Sequence, residues 1–390
     1  MTQKIFGFSR NVFVLSFVSF LNDIGGETIK KTIPLFLANV LGVRPAIIGL
    51  VEGLADATPQ LLQPLSGYIS DVFKKRKLLV IIGQILRSAM LFLFWTNSWV
   101  HVLLVRLSDR TGKGIAMAPR DALLAVSSEK NHVGRSFGLS RMFDNAGAFV
   151  GLTLAALIML VSSRGSLLLT RETFQSIVLL SVIPLLLSVV LISFFVHDVT
   201  QSDDNPRLVL RDKLGKKFYT FLGLSFLFTL GNSSDAFIIL KAQLVGLAVW
   251  QIFLLLAGYS FVASTSGYYL SGLSDRVGRK KLLLSGWFLY SVVYFFIGRS
   301  TTATAMVGLT LLYGLYYGFT EGSAKAFVSD IVPVSKKGTA YGLYNMTIGV
   351  TIFFASLFAG ILWQTIASSA VFYFGAAMAT LAAVGLFFFL

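Results

Sequence analysis

The 390-residue sequence has no cysteine, three histidines and a charged fraction of only 13%. The missing cysteine excludes disulfide scaffolds, Cys-ligated metals and thiol nucleophiles together. The histidines, His101, His132 and His197, fall at or beyond the ends of apolar runs. They form no H-E-x-x-H pair, and the chain carries neither a nucleophile elbow nor a phosphate-cradling GxxxxGK loop. Gly112-Lys113-Gly114 lacks the preceding strand, the loop length and the Ser/Thr that a nucleotide loop needs. An enzyme is therefore disfavoured, no cofactor or metal is expected, and ATP-driven pumping is set aside.

What the chain has is apolar length. Hydrophobic residues make up 55% of it, against a soluble-domain charged fraction of about 25% that this chain does not approach. A spanning helix takes roughly 20 apolar residues. Apolar runs near residues 11–40, 45–70, 78–96, 99–127, 135–162, 173–196, 217–245, 248–273, 282–299, 303–330, 338–363 and 367–390 give twelve expected spans in an all-α integral membrane protein. No large extramembrane domain fits in the remainder, and the first run is too long and too polar at its centre for a cleavable signal. The net charge of +15 would suit nucleic acid, but bases flanking membrane helices explain it more economically. Nineteen bases fall in the alternate segments that include the amino terminus and only four, Arg44, Arg164, Arg171 and Arg299, in the others. This asymmetry predicts both termini in the cytoplasm of a multi-pass protein of the cell membrane, the inner membrane of a bacterium. The expected partners are the lipid bilayer and a small-molecule substrate, with no nucleic acid and a monomeric chain.

The polar stretch between spans six and seven reads as a cytoplasmic linker, residues 197–216, dividing halves 1–196 and 217–390. An internal repeat supports that division. Ser70-Asp71 followed by Lys75-Arg76-Lys77-Leu-Leu matches Ser274-Asp275 followed by Arg279-Lys280-Lys281-Leu-Leu, and Gly134 to Gly138 matches Gly338 to Gly342, both 204 positions apart. Two parallel six-helix repeats place a substrate site near the midplane of a transporter.

With these residues in hand, the chain resembles the major facilitator superfamily over essentially its whole length. The family signature G-x-x-x-D-R-x-G-R-R/K corresponds to Gly67, Asp71 and the bases through Arg76, with Val72 for the family's Arg and Lys74 for its turn glycine. The second copy, Asp275-Arg276-Val-Gly278-Arg279-Lys280, is nearly complete from the aspartate onward. The run Asp109-Arg110-Thr-Gly112-Lys113-Gly114 leading into Pro119-Arg120-Asp121 resembles a bacterial subgroup of the superfamily. Gly138, Gly147 and Gly151 keep the glycine spacing of antiporter members in span five, with Leu152 in place of the family's proline. The resemblance implies a secondary carrier working by alternating access. It also implies a cytoplasmic gate in which Asp275 approaches Arg135, and Asp71 then turns to Lys336 or Lys337 because position 339 is a threonine. Gly67, Asp71, Arg76, Arg135, Asp275, Arg276 and Arg279 are its expected members.

Ionisable residues inside membrane spans are costly and are functional candidates by default. Arg106, Arg110 and Lys113 lie on one face of span four, with Asp109 among them and Arg120-Asp121 beyond Pro119. Span one carries Asn22, Asp23 and Glu27, followed by Lys30-Lys31. The charged form of a carboxylate is expensive at this depth, so Asp23 and Glu27 are candidates for carrying a proton; the structural alternative pairs Glu27 with Lys30 or Lys31. Arg141 and Asp144 in span five, Asp235 in span seven, and Glu321 with Lys325 in span ten complete the translocation set, and Glu52 and Asp56 add two acids in span two. Tyr259, Tyr268, Tyr269, Tyr313, Tyr316, Tyr317, Phe319 and Trp250 supply aromatic surface suited to an amphipathic ligand. The expected function is proton-coupled export of a small amphipathic or drug-like molecule. The alternative, from the basic face of span four, is proton-coupled uptake or exchange of an anionic metabolite or siderophore.

Overall fold

The computed structural model describes residues 4–129, 132–163, 166–198, 214–333 and 336–390, without the side chains of Lys4, Ser163, Tyr268, residues 271–276 and Glu321. Most of the linker expected at 197–216 lies outside these residues. The chain opens with a two-strand hairpin, β1 Lys4–Ile5 antiparallel to β2 Phe8–Ser9. Its turn residues Phe6 and Gly7 both take positive φ, 50° and 80°, as the tightest hairpin turns require. Every other regular element among the described residues is helical.

Twelve spans follow. They are α1 Arg10–Leu35, α2 Pro45–Phe73, α3 Arg76–Ser88, α4 Trp99–Val126, α5 Val133–Ser163, α6 Arg171–Phe195, α7 Lys216–Gly231 continued by α8 Ala236–Leu244, α9 Val249–Val277, α10 Arg279–Arg299, α11 Ala303–Ile331, α12 Lys337–Thr365 and α13 Ser368–Phe389. Nine are long and apolar enough to cross a membrane on those grounds alone among the described residues. The three others are the spans with polar cargo: α2 with Glu52 and Asp56, α4 with its basic face, and α11 with its tyrosines. Span one ends in a wide π-helical turn, Phe36–Val40, and span three in a tight 3-10 segment, Ala89–Trp95. The span expected at 217–245 is not one helix: residues 232–235 leave the helical path between α7 and α8.

The helices form two compact units. One comprises Met1–Leu41, Thr58–Arg164 and Leu169–Leu208; the other comprises Gly42–Ala57, Gly165–Leu168 and Val209–Leu390. The amino-terminal part of α2 thus belongs to the second unit, where Gly49 lies against the Ser356 carbonyl of α12.

In the first unit, α1 crosses α5 where Gly147 and Gly151 meet the carbonyls of Phe20 and Ile24. A Cβ at either position would come within 2.3 or 2.5 Å of that oxygen, so only glycine permits this approach. The α3–α4 crossing has the same device, with Gly83 and Gly112 each facing the other's carbonyl. Gly138, by contrast, faces open space. Of the three glycines at the antiporter spacing, Gly147 and Gly151 are packing residues and Gly138 is not. The end of this unit that carries the amino terminus is tied by Ser9 Oγ donating to the Ser127 carbonyl at 2.7 Å and Asn11 Nδ2 to the His197 carbonyl at 2.8 Å.

Candidate functional site

Each unit holds a polar centre at membrane depth. In the first unit the close α3–α4 crossing brings Arg87 beside Asp109. Arg87 Nε lies 3.2 Å from Asp109 Oδ1, and Arg110 Nε lies 3.3 Å from Asp109 Oδ2. Arg87 Nη2 also donates to the Asn22 carbonyl of α1 at 3.4 Å. Gly26 leaves the room for this, since a Cβ there would meet Arg87 Nη2 at 2.6 Å. Arg87, Arg106, Asp109 and Arg110 are all at most 5% exposed. A pair this deep repays its lost hydration only through close geometry and further hydrogen bonds.

Around this core stand groups that reach further out. Asp23, Glu27 and Lys113 are half-buried. The charges acting on Asp23 are Asp144, Lys113, Glu27 and Arg87, and those acting on Glu27 are Lys30, Lys113, Lys31 and Arg110. Lys113 therefore serves both acids. Arg120 donates to Asp121 Oδ1 at 3.0 and 3.2 Å and to Ser19 Oγ at 2.7 Å, with Asp144 Oδ1 4.0 Å away. The expected residues Asn22, Asp23, Glu27, Asp109, Arg110, Lys113 and Asp144 thus meet in one network. Arg106 is sealed in the same helix, whereas Arg141 is exposed. Arg87 was not singled out from the sequence. Its signal was there: a guanidinium in the middle of an otherwise apolar span.

The second unit gathers aromatics at the break in span seven. Asn232 Nδ2 donates to Tyr316 Oη at 2.7 Å, Tyr290 Oη to the Gly231 carbonyl at 2.9 Å, and the Ser234 amide to Ser356 Oγ at 3.1 Å. Freed backbone groups at membrane depth must be satisfied in this way. Asp235 Oδ1 accepts from Tyr313 Oη at 3.2 Å. Tyr259 and Tyr313 stack with ring centres 5.5 Å apart, and Tyr317 meets them edge-on at 5.9 and 5.7 Å. Tyr290 and Tyr294 stack at 4.1 Å behind Tyr316 and Tyr313. Tyr259, Tyr313, Tyr316 and Tyr317 of the expected set converge here, while Tyr269 is exposed. Tyr290 and Tyr294 of α10 were not foreseen, because a tyrosine in an apolar run looks the same whether it faces lipid or core. Glu321 lies outside the described side chains; Lys325 is exposed, and its carbonyl accepts from Tyr341 Oη.

The expected gate residues have local partners. Asp71 pairs with Arg76 of its own turn at 3.3 Å. Arg135 lies over the Phe8 ring at 4.6 Å, and Lys337 donates to Ser329 Oγ. Arg279 pairs with Asp330 and donates to the Ala326 carbonyl. Gly67 packs on Ala118. Asp275 and Arg276 fall outside the described side chains. The two signature turns share a backbone feature: Lys74 and Gly278, 204 positions apart, both have positive φ.

The Major Facilitator Superfamily model matches residues 15–240 and again 220–390. The chain belongs to that superfamily. A relative described as an uncharacterized MFS-type transporter of Methanocaldococcus jannaschii is 33% identical over 97% of this chain and 95% of its own length. The quinolone resistance protein NorA of Staphylococcus aureus is 26% identical over 58% of this chain and 56% of its own. Among solved structures, the nucleoside transporter NupG superposes with a TM-score of 0.74 at 14% identity, covering 96% of this chain and 98% of that one. A POT family transporter bound to 5-aminolevulinic acid gives 0.79 at 12%, covering 98% and 96%. These structures share the fold. As a superfamily member the chain is a multi-pass membrane transporter rather than an enzyme. Among the described residues no group of His, Asp and Glu side chains is placed to hold a metal ion.

Proposed function

We propose that this transporter is a proton-coupled exporter of small amphipathic molecules, a monomer of the bacterial inner membrane with both termini in the cytoplasm. The observation that carries the reading is the division of labour between the two polar centres. The first unit holds a network in which half-buried Asp23 and Glu27 share Lys113. The second offers a tyrosine wall with one carboxylate, a surface for a molecule that is part ring and part polar. The likeness to a quinolone resistance protein supports the same reading. In it Asp23 and Glu27 exchange a proton, and the halves 1–196 and 217–390 alternate around the linker 197–216. Asp275 and Arg135 with Asp71, Arg76, Arg276 and Arg279 form the cytoplasmic gate.

The test is a liposome assay with the purified protein under an imposed pH gradient and a panel of compounds. Collapse of the gradient on adding an amphipathic compound supports the reading. Transport indifferent to the gradient overturns the coupling.

The surplus of bases in the first unit favours a second reading, exchange of an anionic metabolite. Arg110 is committed to Asp109, so Lys113 is the base that distinguishes the two. Lys113→Gln should abolish transport of an anion and leave uptake of a cationic compound driven by its own gradient.

A further inference from the structure

We infer that the groove between α10 and α11, at the end of α10 opposite the Gly278 turn, holds one phospholipid with an anionic headgroup, its phosphate on Arg299 and one acyl chain along Phe296, Gly308 and Leu312. The inference is independent of what the chain transports.

The groove has a volume of about 480 Å³, and its two ends differ in kind. At one end Arg299 and Thr301 stand in the turn that joins α10 to α11. The rest is apolar, with Phe296 and Leu312 exposed and Gly308 exposed between them. Met306, Thr310 and Tyr313 are sealed on the other side of α11. The groove therefore lies on the face of that helix turned away from the tyrosine cluster. A Cβ at Gly308 would meet nothing within 4 Å, so this glycine, unlike Gly147 or Gly112, serves no close approach within the chain. Glycine inside a helix costs stability; here it gives the groove its depth.

Length and charge identify the occupant. From Thr302 to Leu312 is about 15 Å along a helix axis, half of a hydrocarbon core of about 30 Å. An acyl chain lying in the groove thus runs the depth of one leaflet, with its headgroup at the turn. Arg299 is exposed there, and among the described residues it has no ion-pair partner. A guanidinium fork matches a phosphate. No carboxylate lines the groove, so the ammonium of a zwitterionic headgroup finds no partner, and a headgroup carrying only the negative charge is favoured. A merely structural Arg299 would need water or the last carbonyls of α10, and neither calls for a groove. A second copy seated here by two-fold symmetry would bring its own Arg299 to the same depth, like charge beside like.

The absence of cysteine makes a local test direct. Thr304→Cys, exposed beside the polar end, is labelled with a fluorophore in the full-length protein in nanodiscs; Phe288→Cys, exposed elsewhere on α10, is the control. Phosphatidylglycerol and phosphatidylcholine, each with a nitroxide high on one acyl chain, are titrated as quenchers. The glycerol lipid should quench the label at 304 at about fivefold lower mole fraction than the choline lipid, the effect of one basic residue on an anionic headgroup. At 288 the two should act alike. Arg299→Gln should remove the preference, and Gly308→Leu, which fills the groove, should weaken quenching at 304 by both lipids. Equal quenching at 304, the same preference at 288, a preference that survives Arg299→Gln, or no effect of Gly308→Leu overturns the inference. Exclusion of both lipids from 304 with a dimer in cross-linking also overturns it, and gives the groove to a second copy.

Discussion

Lys74 and Gly278 occupy the same position in the two signature turns, and both hold a left-handed backbone, with φ of 53° and 96°. Glycine takes that conformation without steric cost, whereas a residue with a Cβ loses about 1–2 kcal/mol. The first turn thus carries its positive φ on a strained lysine. Lys74→Gly should raise the stability of the detergent-solubilised protein by about 1 kcal/mol, and Gly278→Ala should lower it by a similar amount. Thermal melting of both variants checks this, and a lower melting temperature for Lys74→Gly contradicts it.

The Arg87–Asp109 pair yields a second expectation. Removing one partner leaves a charge buried without compensation, which costs about 3–5 kcal/mol, whereas removing both is far milder. Asp109→Leu and Arg87→Met should each reduce the yield of folded protein sharply. The double variant should recover part of the loss, although Arg110 still lacks its acid. Size-exclusion profiles and melting curves of the three variants give the coupling, and strictly additive losses would show that the pair is not a unit.

Gly147 and Gly138 separate packing from mere spacing. Alanine at 147 must push into the Phe20 carbonyl, while alanine at 138 meets nothing. Gly147→Ala should destabilise the α1–α5 crossing and slow transport. Gly138→Ala should be neutral or stabilising by about 0.5–1 kcal/mol, the ordinary helix gain of alanine over glycine. Melting temperatures and initial transport rates settle it, and equal effects at the two sites would refute the contact.

Proton carriage by span one makes its own demand. Asp23→Asn and Glu27→Gln should each abolish substrate-driven proton flux in liposomes, with substrate binding retained in at least one of them. Both variants coupling at the wild-type rate would remove these acids from the mechanism.

A sequence is enough to recover twelve spans, because the membrane demands about 20 apolar residues for each and that demand is local. The repeat and the turn signatures were legible for the same reason, as was the concentration of charge in spans one and four. Arg87, Tyr290 and Tyr294 were not, because each belongs to a cluster only through a neighbour distant in the chain. The break at residues 232–235 was hidden too. Asn, Ser and Asp in a span can hydrogen-bond within a helix or interrupt it, and here Tyr316, Ser356 and Tyr313 supply the partners that make interruption affordable. Periodicity and composition thus determined the membrane architecture and the types of residue in its polar centres. Which acid meets which base, and which rings face one another, was decided by helix crossings such as Gly83 on Gly112, where contact between backbones sets the side-chain neighbours.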